Sequence, residues 1–204
     1  MNHESVLDAI LDQRTIGIVR SGSAEQAVET VDLLIGAGIS AVEVSLVTPG
    51  ALEAIAVSRA KHEGRAAIGV GTVLTLEDAV AAVAAGAQFV VAPITEDSVI
   101  RYCVAHRLVV VPGAGTASEM VSAQRAGAPL VKVFPASTWT PSSISHLLSA
   151  LTGLRLVPTG GVGLDDGPAW IRAGAVAVGV GSALSDAARD PDRLRAFLTS
   201  LREA

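Results

Sequence analysis

The sequence predicts an α/β fold, a (β/α)8 TIM barrel formed by a single domain over residues 1–204, with an extra helix before the first strand. Two observations carry this prediction. Short apolar runs alternate with helical stretches eight times along the chain, and several of these runs follow an Ala-Gly pair that closes the preceding helix. A doubly wound open sheet is the alternative, but such a sheet has fewer strands and no GxGxxG follows the first strand here.

The strands come from two sets of apolar runs. A glycine placed after a helix adopts the left-handed conformation that ends it, so the residues that follow are free to enter a strand. Four runs have this pattern: Leu33–Leu46, Val83–Pro93, Gln124–Ala136 and Ile171–Ala183. Four more β-like runs lie between them: Thr15–Arg20, Ala66–Thr72, Leu108–Gly113 and Leu154–Gly160. Near-continuous valine, isoleucine and leucine in such runs is typical of a parallel sheet covered by helices.

Helical stretches separate the strands. They are predicted at Glu25–Ile35, Ala51–Lys61, Leu76–Ala85, Glu96–His106, Ser118–Ala126, Ser142–Leu151, Asp165–Ala173 and Ala183–Ala188. Two further helices are predicted, the extra one near Glu4–Gln13 and another near Pro191–Arg202 at the end of the chain.

Composition excludes several classes of function. The apolar fraction of 50% argues against disorder, and a net charge of −5 without a dense basic run argues against a nucleic-acid partner. The single cysteine, Cys103, excludes an internal disulfide framework and fits a reducing compartment. The longest apolar stretch, Ala79–Ile94, is too short and too rich in alanine and glycine to span a membrane, and the N-terminus lacks a signal core. We therefore expect a cytoplasmic protein without a membrane partner.

Lys132 is the first candidate catalytic residue, because groups at the C-terminal ends of barrel strands perform the chemistry of this fold. A strand alternates its faces, so Lys132 and Phe134 point into the barrel if Val131 and Val133 face the helices. Burial favours the neutral amine, which a Schiff-base nucleophile requires. The alternative is a lysine that extends to solvent at a strand end. The only other lysine, Lys61, lies in a charged run at a helix end and is predicted to be a surface residue.

Glu43 and Arg20 are candidates by the same alternation. Val42 and Val44 suit the outer face of the second strand, so Glu43 is expected to face inward, as a general acid and base. A structural ion pair of Glu43 with Lys132 or Arg20 is the alternative. Arg20 ends the first strand, where its planar guanidinium is suited to clamp a carboxylate or phosphate.

Glycine-rich turns end the seventh and eighth strands. In a barrel this is the position where backbone N–H groups and a short helix bind phosphate. The residues predicted to bind an anion there are Thr159, Gly160, Gly161, Gly181 and Ser182. The four histidines lie apart, without metal-ligand spacing, so no metal site is predicted.

Taken in order, these motifs resemble a known family. They are Glu43-Val-Ser-Leu, Gly69-Val-Gly-Thr-Val-Leu, Pro93, Pro112-Gly-Ala-Gly-Thr, Lys132-Val-Phe-Pro-Ala and Pro158-Thr-Gly-Gly-Val. The chain is similar to the 2-keto-3-deoxy-6-phosphogluconate (KDPG)/4-hydroxy-2-oxoglutarate (KHG) aldolases from about Thr15 to Ala183. The Lys-x-Phe-Pro-Ala segment is the most specific part of the resemblance.

The resemblance implies a class I aldolase that needs neither metal nor cofactor. Lys132 would form a Schiff base with C2 of a keto acid, and Glu43 would move protons during cleavage. The pyruvate end would be shaped by Thr72, Pro93 and Phe134, with Thr72 bonded to the carboxylate. The distal phosphate would be held by Thr159, Gly160, Gly161 and Ser182. The products would be pyruvate and glyceraldehyde 3-phosphate, or pyruvate and glyoxylate from 4-hydroxy-2-oxoglutarate, and the expected assembly is a homotrimer.

One position departs from the family pattern and leaves the sugar acid open. Gluconate-type members usually carry an arginine where this chain has Val47, whereas Arg20 resembles the Ile-x-Arg of galactonate-type members.

Two other functions stay open at this point. One is a phosphosugar isomerase or epimerase, which would need two inward acids or a metal, and the other is a non-catalytic phosphate binder, which would be expected to lack Lys132 or Glu43.

Overall fold

Parallel strands alternate with helices throughout the computed structural model, which describes residues Met1–Ala204. The strands are β1 (Thr15–Val19), β2 (Ala41–Ser45), β3 (Ala67–Gly71), β4 (Phe89–Val91), β5 (Val109–Val111), β6 (Gly113–Ala114), β7 (Val131–Val133), β8 (Leu156–Pro158) and β9 (Val178–Val180). They form a curled six-stranded sheet of order β5-β4-β3-β2-β1-β9 and a three-stranded sheet of order β6-β7-β8. All pairings are parallel, and a bridge between Thr159 and Gly179 joins the two sheets beside β8 and β9.

The predicted fifth strand, Leu108–Gly113, is divided in the structure. Val109–Val111 pairs with β4, whereas Gly113–Ala114 pairs with β7. Pro112 stands between the two segments and has no N–H to donate to a ladder. The strand therefore changes its partner at the proline, which the apolar run alone did not predict.

The helices agree closely with the predicted stretches. They are α1 (His3–Gln13), α2 (Ala24–Gly36), α3 (Ala51–Lys61), α4 (Leu76–Ala84), α5 (Asp97–Ala105), α6 (Ala117–Arg125), α7 (Pro141–Ala150), α8 (Gly167–Arg172), α9 (Ser182–Ala187) and α10 (Pro191–Glu203), with a short 3-10 turn at Ala136–Thr138. The glycine of each of the four repeated Ala-Gly pairs has a positive φ, between 101° and 105°. The predicted reason for the repeat, a left-handed glycine that ends a helix, is confirmed.

Alternation along the strands creates two apolar layers. Val42 and Val44 of β2, like Val131 and Val133 of β7, belong to the large cluster between strands and helices. A smaller cluster fills the interior between the strands, and α1 closes the N-terminal end of that interior with Val6 and Ile10, among other residues. The C-terminal ends of the strands lack such a cover, and the polar inward-facing residues are found there.

Two observations bear on the excluded classes. No helix is both long enough and apolar enough to cross a lipid bilayer. Cys103 is buried on α5, and this burial raises the pKa of its thiol to about 12. The thiolate is therefore disfavoured, which leaves Cys103 a small apolar side chain of the core.

Candidate active site

A cavity of about 680 Å³ opens at the C-terminal ends of the strands. Every site residue predicted from the sequence lines it: Arg20, Glu43, Thr72, Pro93, Lys132, Phe134, Thr159, Gly160, Gly161, Gly181 and Ser182. A second cavity of about 680 Å³ lies beside the N-terminal ends of β5 and β7, and its lining includes Asn2, Glu4 and Arg107. Of these two cavities, the first is the candidate site because the buried lysine and carboxylate line it.

Lys132 lies at the centre of β7 and points into the interior, with only 6% of its surface exposed. Its Nζ lies 4.7 Å from the centre of the Phe134 ring. Burial lowers the pKa of Lys132, an effect that the charge of Glu43 opposes and that of Arg20 reinforces. The amine of Lys132 therefore loses its proton more easily than an exposed lysine, as a nucleophile must.

Glu43 lies on β2 and is 2% exposed, and its Oε2 has no hydrogen-bond partner. Burial raises its pKa, against the charges of Lys132 and Arg20. The five ion pairs of the chain lie elsewhere, so Glu43 forms an ion pair with neither Lys132 nor Arg20. The structural ion pair considered as an alternative is therefore not formed, and the carboxyl can both donate and accept a proton.

Inward glycines make room for the polar groups. A Cβ on Gly71 would lie 2.7 Å from Oε1 of Glu43, so only a glycine leaves space for the carboxyl at that point of β3. A Cβ on Gly179 would overlap the hydroxyl of Thr159 in the same way. The glycines that the sequence places at strand ends therefore position neighbouring side chains.

Thr72 follows β3 and faces the cavity. Its Oγ1 lies 2.6 Å from Oγ of Ser45, and its φ is 63°. A β-branched residue rarely adopts this left-handed conformation, which makes Thr72 an unusual backbone position at the cavity wall. The sequence indicated Thr72 through the family resemblance, whereas the period of two along β2 places Ser45 on the same inward face as Glu43.

The distal end of the cavity is formed by the loops after β8 and β9. Gly160 and Gly161 have φ values of 86° and 97°, and a Cβ on Gly160 would lie 3.0 Å from the Phe134 ring. Asp166 fixes the loop after β8 against α8, because its carboxylate accepts hydrogen bonds from the Gly163 N–H at 2.7 Å and from the Trp170 indole N–H at 3.3 Å. The loop therefore presents backbone to the cavity with little side-chain cover.

Arg20 and Lys132 are the only cationic side chains that line the cavity. Arg20 is exposed at the end of β1, and the N–H of the next residue, Ser21, donates to the Thr48 hydroxyl at 3.1 Å. Val47 is 57% exposed and does not line the cavity. The departure at Val47 therefore leaves Arg20 as the cation nearest the mouth of the site.

Sequence reasoning missed several lining residues: Ile18, Thr30, Val162, Gly163, Ala183, Ser185 and Asp186. Ser182, Ser185 and Asp186 share one face of α9, at the spacing of a helical turn, and this signal was available in the sequence. Thr30 lies on α2, far along the chain from the other residues, and no local pattern indicates it.

Comparisons with known proteins agree on one family. Residues 6–196 match the family described as "Aldolase: KDPG and KHG aldolase". The chain is 34% identical to the 2-dehydro-3-deoxy-6-phosphogalactonate aldolase of Escherichia coli K12, over 93% of this chain and 95% of that protein. It is 38% identical to the 2-dehydro-3-deoxy-phosphogluconate aldolase of Treponema pallidum, over 79% of this chain and 77% of that protein. A solved structure described as native KDPGal superposes with a TM-score of 0.82 at 33% identity, over 93% of this chain and 92% of that one.

Proposed function

The chain belongs to the KDPG and KHG aldolase family, whose members are carbon–carbon lyases, and we propose from this premise that it is a class I aldolase for a 2-keto-3-deoxy-6-phospho sugar acid. The substrate is the gluconate compound or its galactonate epimer, and the products are pyruvate and glyceraldehyde 3-phosphate. Cleavage of 4-hydroxy-2-oxoglutarate to pyruvate and glyoxylate is the second reaction. The observation that carries the proposal is Lys132, buried in the cavity without an ion pair.

Lys132 is the nucleophile. Its neutral Nζ attacks C2 of the keto acid, the carbonyl oxygen takes a proton, and loss of water from the carbinolamine leaves a protonated Schiff base. The positive nitrogen then draws in the electron pair of the C3–C4 bond. The C4 hydroxyl loses its proton and becomes a carbonyl, and the fragment that contains C4 leaves as an aldehyde. The enamine that remains gains a proton at C3, and water releases pyruvate and the free lysine.

Glu43 moves the protons of these steps. Its buried Oε2 has no competing hydrogen bond, and burial raises the pKa of its carboxyl, so the group holds a proton more readily than an exposed glutamate. We assign it to protonate the carbinolamine oxygen and to accept the C4 hydroxyl proton. Both roles need one group that changes its protonation state within a turnover.

The remaining residues bind the two ends of the substrate. Thr72, Pro93 and Phe134 shape the pyruvate end next to Lys132. We place the distal phosphate in the glycine-rich loops, with Arg20 as the cation at the mouth. The residues assigned to the phosphate are Thr159, Gly160, Gly161, Gly181 and Ser182. The open backbone at positions 160 and 161 supports this assignment, since phosphate binds through main-chain N–H groups at such turns.

The finer architecture is part of the proposal. We propose that the two sheets close into a full (β/α)8 barrel of one domain, residues 1–204, with α1 as the extra helix across its N-terminal end. The bridge between Thr159 and Gly179 supports the closure on one side, and the continuous chain through Pro112 supports it on the other. A cytoplasmic location and a homotrimer complete the prediction, and light scattering of the purified protein tests the trimer.

The isomerase or epimerase alternative is not favoured. Such an enzyme would need two buried acids or a metal, whereas the cavity is lined by one buried acid, Glu43, and one exposed acid, Asp186. The matched relatives are named aldolases.

Trapping with pyruvate tests the proposed function. The protein is incubated with pyruvate and borohydride, and its intact mass and peptides are measured. We expect one reduced pyruvate adduct on the peptide that contains Lys132. The absence of an adduct, or an adduct on Lys61, would contradict the proposal. Cleavage rates on the gluconate, galactonate and hydroxy-oxoglutarate substrates then identify the preferred acid.

A further inference from the structure

We propose that Ser45 is a positioning residue that fixes the Thr72 hydroxyl as a hydrogen-bond donor toward the substrate carboxylate. The inference rests on the proposed function, because Thr72 acts on a keto acid only if one occupies the cavity beside Lys132. Nothing in the family resemblance assigns a role to Ser45.

The register of two strands brings Ser45 and Thr72 together. Ser45 pairs with Gly71 across β2 and β3, so the residue after Gly71 lies next to Ser45 at the strand ends. Their hydroxyl oxygens are 2.6 Å apart, which is a short hydrogen bond between two hydroxyl groups. Ser45 also follows Glu43 by two residues and therefore shares its inward face.

The burial of Ser45 sets the direction of this hydrogen bond. Ser45 is 1% exposed, and the only hydrogen-bond partner of its hydroxyl group is the hydroxyl of Thr72. A hydroxyl carries one proton, and a buried O–H without an acceptor is costly, so Ser45 must donate to Oγ1 of Thr72. Thr72 then directs its own proton into the cavity that it lines.

The backbone conformation of Thr72 also keeps its hydroxyl directed into the cavity. Its φ of 63° is rare for a β-branched residue and persists where the surrounding structure enforces it. With Oγ1 already accepting a proton from Ser45, the Thr72 hydroxyl offers the ligand a donor. A group that accepts hydrogen bonds is therefore selected at this point, and the carboxylate of a 2-keto acid is such a group.

The experiment measures how trapping depends on concentration, for pyruvate and for its uncharged methyl ester. Ser45→Ala removes the donor, and we expect the half-saturating pyruvate concentration to rise by about threefold to tenfold, the range for loss of one hydrogen bond. The value for methyl pyruvate should change less, because the ester lacks the charged acceptor. Ser45→Thr keeps the hydroxyl and should restore the wild-type value.

A matched control separates this effect from the loss of any buried serine. Ser58 is fully buried on α3, its hydroxyl has no partner, and it lies outside the cavity, so Ser58→Ala should leave trapping unchanged. If Ser45→Ala fails to fold, Ser45→Cys replaces it, because a thiol is a weaker donor in nearly the same shape and should give an intermediate rise.

The possible results distinguish a failure of the proposed function from a failure of the positioning role of Ser45. A wild-type protein that forms no adduct overturns the proposed function and this inference with it. A wild-type adduct with the same pyruvate half-saturation in wild type and Ser45→Ala (or Ser45→Cys) overturns the positioning role alone. An equal rise for pyruvate and methyl pyruvate also overturns it, since the carboxylate would then not be the group recognised.

Discussion

The interior between the strands differs from one end to the other, and two glycines on β3, Gly69 and Gly71, mark the two levels. Both face inward, two residues apart, and both leave a space that a neighbouring side chain fills. A Cβ on Gly69 would lie 2.5 Å from the ring of Phe89, whereas one on Gly71 would lie 2.7 Å from Oε1 of Glu43. The same local device therefore holds an apolar ring at one level and a carboxyl group at the next.

The two levels separate stability from chemistry within the molecule. At the level of Gly69, the interior is filled by apolar side chains and covered by α1. At the level of Gly71, the strands end, and Glu43 and Lys132 face a cavity. Burial at the lower level lets apolar residues pack, and burial at the upper level raises the pKa of Glu43 and lowers that of Lys132.

The largest effect is expected at Lys132. Lys132→Ala removes the amine that forms the Schiff base, and we expect both the pyruvate adduct and turnover to fall below detection. Lys61→Ala is the matched control. Lys61 is exposed and bonded to Asp32, so its removal should leave turnover near the wild-type rate. Turnover that survives Lys132→Ala would contradict the separation of the two levels.

Glu43 comes next. Glu43→Gln keeps the shape of the side chain but cannot exchange a proton, and we expect kcat for cleavage to fall by a factor on the order of 10², the usual scale of general acid–base catalysis. The melting temperature, measured in parallel, checks that the fold is retained. A kcat within twofold of wild type would assign the proton transfers to another group.

The two glycines provide the direct comparison. Gly71→Ala forces the Glu43 carboxyl to move, and we expect a fall of about tenfold in kcat, because a small misplacement of a reacting group lowers the rate steeply. Gly69→Ala overpacks the site of Phe89 and should lower stability by about 1–3 kcal/mol. Since 1 kcal/mol corresponds to about 2–4 °C in a chain of this size, the loss is visible by calorimetry. Equal losses of kcat in the two variants would refute the separation.

The smallest effect concerns stability and pH. The pKa of Lys132 is lower in the folded protein than its ordinary value of 10.5, so the unfolded chain binds more protons between the two values and stability rises with pH there. Lys132→Met removes this dependence. We expect its melting temperature to exceed that of wild type by a few degrees, about 1 kcal/mol, at neutral pH. The gain should shrink as the pH approaches 10.5. A gain that stays constant with pH would contradict burial as the cause of the shift.

Much of this site follows from the period of two along a strand. That alternation alone places Glu43 and Lys132 inside, because the valines beside them require the helix-covered face. The contact between Ser45 and Thr72 could not be predicted from the sequence. It depends on the register of two strands and on a threonine in the left-handed conformation, and neither leaves a local sequence pattern. The break at Pro112 was missed for a related reason, because a strand can change partner without any change in its apolar run.

Competitive labelling of the two lysines tests whether burial at the strand ends makes Lys132 a reactive amine. The protein is treated briefly with a limiting amine reagent over a range of pH, and labelled peptides containing Lys132 and Lys61 are quantified, with the urea-unfolded chain as reference. We expect labelling of Lys132 in the folded protein to have its midpoint below pH 10.5, and Glu43→Gln to lower this midpoint further by removing the opposing charge. A Lys132 midpoint at or above pH 10.5 would show that burial does not activate this amine.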